Sequence, residues 1–183
     1  MWATNPAMYP ESSSFFGRNV LPSRLRLFLH WIPALVGVVI ILVESTAMMS
    51  AEHTSRWLLP LWIHLFGPIS PDRWAVVHHY IRKTGHFVGY GTVSLGFFEG
   101  WRVTLESHWR AWRTRFRYAA ALALLCTLLL ASWDEWHQSF LPGRTSSVRD
   151  VGLDFCGALA AQLTLFCIVS FFGKKQAVRV AAA

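Results

Sequence analysis

Three long apolar runs constrain this chain more than any other feature: Leu27 to Val43, Tyr118 to Ser132 and Val151 to Phe172. An α-helix needs about 20 mostly apolar residues to cross a hydrocarbon core. Each run is most or all of one such crossing. The 183 residues form one domain on length, but a water-soluble core does not apply to a chain that is 54% hydrophobic with ten tryptophans. Three cysteines, Cys126, Cys156 and Cys167, fall inside apolar segments, where a thiol is expected to behave as a small buried hydrophobe. Their odd number and the absence of a CxxC pair argue against a disulfide framework or a structural zinc site.

The net charge of +7 does not indicate nucleic acid, because the charges are segregated by connection. A fourth crossing is expected from about Lys83 to Trp101, where Lys83, His86, Phe87 and Tyr90 share a helix face. With four crossings, the two tails and the second connection hold eleven Lys or Arg against three acids, and the first and third hold six against seven. The positive-inside rule then places both termini in the cytoplasm. The basic cluster Arg110, Arg113, Arg115 and Arg117 reads as a topology signal beside anionic lipid. No small-x-small cleavage site follows the first run, so it is expected to remain as a helix.

The expected organisation is an all-α, polytopic membrane protein: an N-terminal cytoplasmic tail (1–26), a four-helix membrane domain (27–172) and a cytoplasmic C-terminal tail (173–183). Pro33 and Gly37 are tolerated in the first helix because neighbouring helices can re-satisfy its backbone. Between the first two crossings, the semi-apolar piece Thr54 to Ile69 offers only the span between Arg56 and Pro68, too short for a full crossing. Trp57, Trp62 and Trp74 in and beside it suit the headgroup level, so it is expected as an interfacial helical segment.

Acids, bases and an amide crowd into the connection between the last two runs, Trp133 to Asp154 (WDEWHQSFLPGRTSSVRDVGLD). Asp134 and Glu135 stand four and three residues before Gln138, and Asp150 stands four before Asp154, so each set shares a helix face. Pro142 and Gly143 stop one helix, and Ser147 followed by Asp150 starts the next. Lys83, His86, Asp134, Glu135, Gln138, Arg144, Arg149, Asp150 and Asp154 are thereby expected at the outer membrane face, from two separate parts of the chain.

These motifs resemble the VanZ-like family of small membrane proteins, named for a glycopeptide (teicoplanin) resistance protein. The family pattern has K-x-x-H-F-x-x-Y, then D-E-x-x-Q, a G-R, and an aspartate followed by asparagine and glycine. Here these are KTGHFVGY (Lys83 to Tyr90), DEWHQ (Asp134 to Gln138), Gly143–Arg144 and Asp150. Asp154 stands where the family usually has asparagine, with Gly157 after it. The resemblance covers roughly Arg82 to Ala161. It implies a bacterial inner-membrane protein of the cell envelope that lowers glycopeptide sensitivity, and no cofactor.

Ionisable residues at membrane depth are costly and normally paired or functional. Three roles are open for the cluster: structural neutralisation, with Lys83 and Arg144 balancing Asp134, Glu135 and Asp150; a ligand site; and catalysis, with His86 as a base. The ligand-binding set is Lys83, His86, Tyr90, Asp134, Glu135, Gln138, Arg144, Asp150 and Asp154. The expected ligand is a membrane lipid or an anionic lipid-linked cell-wall precursor, bound without catalysis. An enzyme acting on a phosphate-bearing lipid and a scaffold for another membrane protein are the alternatives. His137 with His86, Asp134 and Glu135 matches no closed metal site. His78 and His79 read as interface residues, and Gly157 with Ala161 as a close-packing pair.

Overall fold

The computed structural model describes residues 23–108, 111–142, 144 and 146–181, and among them all regular structure is helical. Five α-helices follow in order: α1 Ser23–Glu44, α2 Ala51–Phe66, α3 Pro71–Thr104, α4 Trp112–Gln138 and α5 Val148–Ala181. Residues 1–22 of the expected N-terminal tail, and Arg110 and Gly143, lie outside the described residues, as do the side chains of the C-terminal tail.

Three of these helices, α1, α4 and α5, are long and apolar enough to cross a membrane. Only 11% of the most apolar window of α1 is buried inside the protein, so another apolar medium must cover the rest. Residues such as Phe28, Val39, Leu129 and Leu163 form that outward surface. The fourth expected crossing, on α3, does not meet the same standard of hydropathy. From Tyr90 onward α3 packs against α1, α4 and α5 at once, and the faces that meet protein there carry glycine and serine.

The boundaries of α3 also correct the sequence reading. The helix begins at Pro71, not near Lys83: proline occupies the first turn, where its missing N–H is harmless, and Asp72 faces the positive end of the helix dipole. KTGHFVGY therefore sits in mid-helix. The segment expected at the interface is a 16-residue helix, α2, capped by Ser50, whose side chain accepts from His53 N–H, and ended by Gly67 at φ 89°. It leans on the first turns of α3 through Trp74 Nε1 donating to Ser55 Oγ (2.6 Å) and through Trp62 against Trp74.

Small residues set the distances between helices. A Cβ on Gly96 would lie 2.7 Å from the Ala34 backbone nitrogen, and one on Gly157 would lie 2.1 Å from the Phe87 carbonyl oxygen. The backbones of α1 and α5 therefore touch α3 directly. Two apolar clusters fill the seams, Ile41, Tyr90, Val93 and Ala131 in one, Phe98, Phe116, Ala119 and Ala123 in the other. On α4 the inward stripe is Ala119, Ala123, Thr127, Ala131 and then Glu135 and Gln138, small side chains giving way to polar ones at the end. Of the cysteines, Cys126 is half-buried, but Cys156 and Cys167 are exposed on the outer faces of α5, contrary to the expected burial.

Candidate functional site

The contact of Gly157 with Phe87 brings α5 against α3, and the polar residues one and two turns nearer the start of α5 meet as a consequence. Lys83 Nζ lies 2.5 Å from Asp150 Oδ1, and His86 Nδ1 lies 3.4 Å from Asp154 Oδ1. The spacing of three along α3 matches the spacing of four along α5. One turn further, the Tyr90 hydroxyl donates to Asp134 Oδ2 (2.8 Å) on α4, and Gln138 Nε2 donates to Asp134 Oδ1 (2.9 Å).

Tyr90, Asp134, Glu135, Gln138 and Asp154 are all buried. Glu135 Oε2 accepts the Ser147 N–H (2.7 Å), and Ser147 Oγ accepts the Arg149 N–H (3.2 Å), so the start of α5 is tied to the end of α4 and capped as its sequence suggested. Asp154 differs from the others. Its side chain is 0% exposed, yet neither oxygen has a formed hydrogen bond, the His86 ring standing at ion-pair distance only.

Arg144 does not neutralise a carboxylate as expected. Its Nη2 donates to the carbonyls of Glu44 and Thr46 (2.7 Å to the latter), capping the end of α1. The Thr46 carbonyl also accepts the Met49 N–H (3.2 Å), whereas the Glu44 carbonyl stands at the end of α1, where no further helical donor follows. Its Nε remains buried without a partner.

These groups surround a cavity of about 370 Å³ between α3, α4 and the start of α5. Six of the nine expected ligand residues line it: Lys83, His86, Glu135, Gln138, Arg144 and Asp150. Tyr90, Asp134 and Asp154 do not, and connect to it through the bonds above. Arg82, His78 and His79 line it as well. Arg82 was missed by the sequence reading, and the place of His78 in the cavity wall was not foreseen. His78 is buried, stacked on Trp74, with Nε2 3.1 Å from Thr54 Oγ1. The signal was present, since His78, Arg82 and His86 follow at four-residue intervals. Recognising it required starting the helix at Pro71.

The cavity carries three permanent cations, Arg82, Lys83 and Arg144, against two acids, Glu135 and Asp150. Burial lowers the pKa of both arginines, and the Arg82 charge lowers that of Arg144 further. His137 turns away to Ser45 Oγ (2.9 Å), and no group of three or more metal-ligating side chains forms among the described residues.

Three lipid-length apolar helices, with a polar cavity at one end of their bundle, are the architecture of a helical membrane protein. The family model described as VanZ/LLP1 matches residues 23–170, and the chain belongs to the VanZ/LLP1 family. No curated protein and no solved structure matches it.

Proposed function

We propose that this protein is a non-catalytic binder of an anionic, lipid-linked headgroup, held in the cavity between α3, α4 and α5. One observation carries the reading: two half-buried cations in the cavity wall are not committed to carboxylates. No carboxylate among the described residues comes within ion-pair distance of Arg82, Asp150 acting on it only through space. The Arg144 Nε donor has no partner. Two guanidinium groups that repel each other in a desolvated cavity are a cost that an anion removes, and their planar forks suit phosphate or carboxylate.

The same reading takes α3 as a fourth crossing from Lys83 to Thr104, a length of about 33 Å at 1.5 Å per residue, close to the hydrocarbon thickness. The first turns of α3 and all of α2 then extend to headgroup level, where Trp57, Trp62 and Trp74 gather. Charge segregation puts both termini in the cytoplasm and the cavity at the outer face of a bacterial inner membrane. The resemblance to glycopeptide-resistance proteins supplies teicoplanin tolerance as the cellular readout.

The test is native mass spectrometry of the purified protein, with Arg82→Gln beside the wild type. The wild type is expected to retain a phosphate- or carboxylate-bearing lipid, and the variant to lose it while melting at the same temperature. Equal retention by both would overturn the reading.

A second reading, an enzyme acting on a phosphate-bearing lipid, is favoured by the geometry at His86. An imidazole at the wall of an anion cavity with a buried carboxylate on its Nδ1 side is how a general base is oriented. Phosphate release from a lipid monophosphate, lost in His86→Gln with binding retained, would select it.

A further inference from the structure

We infer that the ligand enters the cavity sideways from the bilayer, as a lipid phosphate whose hydrocarbon chain lies in the groove between α3 and α5, with the Lys83–Asp150 ion pair as the partition between chain and headgroup. The inference rests on the anionic-headgroup reading above and specifies its ligand.

A second volume, about 460 Å³, lies along the outer seam of α3 and α5. It shares His79, Lys83 and Asp150 with the first cavity, so the two spaces meet at the same three side chains. Their other walls differ. The inner cavity is ringed by charge, whereas Tyr80, Phe87 and Leu153 give the outer groove an apolar floor. The groove exists because α3 and α5 touch at Gly91 and Gly157, and helices that cross at a close contact separate away from it. Toward the start of α5 the gap is bridged by Lys83 and Asp150, at 2.5 Å.

This order of surfaces, cationic inside and apolar outside, is that of a lipid headgroup and its chain. A small soluble anion gains nothing from the groove. A lipid gains from packing its methylenes against Tyr80, Phe87 and Leu153, contacts that a soluble anion lacks. Access from the bilayer also spares the chain any passage through water. On arrival, the Lys83 ammonium exchanges the Asp150 carboxylate for phosphate.

The experiment compares inorganic phosphate with dodecyl phosphate, binding to full-length protein in neutral detergent by calorimetric titration. Wild type should bind dodecyl phosphate more tightly by about tenfold or more. Leu153→Trp fills the groove from α5. Thr84→Trp does so from an exposed position on α3, which guards against a folding failure of the first variant. Each should erase the preference for the alkyl phosphate and leave inorganic phosphate affinity unchanged. If both variants keep the preference, or if wild type has none, the groove is not the chain site although the headgroup reading stands. If wild type binds neither probe, both fail.

Discussion

Asp154 is the residue whose burial is least compensated. Asp134, equally buried, accepts from Tyr90 and Gln138, whereas Asp154 has His86 at 3.4 Å and no formed hydrogen bond. Removing an acceptor strands its donors, and stranded buried donors cost about 1–3 kcal/mol. Asp134→Ala is therefore expected to lower stability by that amount. Asp154→Asn, which keeps shape and gives up a poorly paired charge, should stay within about 1 kcal/mol of wild type. Thermal melting in detergent checks both, and a collapse of Asp154→Asn would show its charge to be structural. His78 gives a pH dependence. The Thr54 hydroxyl already donates to the Ser50 carbonyl (2.9 Å), so His78 Nε2–H is the donor to Thr54. Burial, with the Arg82 charge beside it, holds the imidazole below its ordinary 6.5. The folded state thus favours the neutral ring. Its stability is complete above pH 6.5 and is lost as pH falls below that value toward the folded-state pKa. Between pH 7.5 and 5.5, wild type should lose more melting temperature than His78→Gln.

At the scale of the element, the seam between α3 and α5 decides whether the site assembles. A methyl group on Gly157 would meet the Phe87 carbonyl at 2.1 Å, backbone that cannot turn aside. Gly157→Ala should push the helices apart and cost about 1–3 kcal/mol, the usual range for overpacking. Gly152 lies on the same helix with nothing within 4 Å of an added Cβ. Gly152→Ala should instead raise stability by up to about 1 kcal/mol, as expected for glycine replaced in a helix. Opposite signs for the two substitutions, read by melting temperature, check the seam. Equal signs would remove it as the determinant.

For the whole molecule, the orientation proposed from charge segregation is open to direct labelling. In a background with Cys126, Cys156 and Cys167 replaced by serine, Ser146→Cys is expected to react with an impermeant thiol reagent in intact cells. Arg113→Cys should react only after permeabilisation. The reverse pattern would invert the protein and place the cavity inside.

The helical class, the three long apolar helices and the shared faces of Lys83, His86 and Tyr90, and of Asp134, Glu135 and Gln138, were all determined by the sequence alone, because periodicity along a helix is a local property. So was the Ser147 cap. Partnership between helices was not determined there. That Lys83 meets Asp150, that Arg144 caps α1 instead of an acid, and that Arg82 and His78 join the cavity all depend on α3 starting at Pro71 and touching α5 at Gly157. The low hydropathy of α3 has the same origin: from Tyr90 onward it packs among three other helices, and only tertiary structure decides which helix face meets protein.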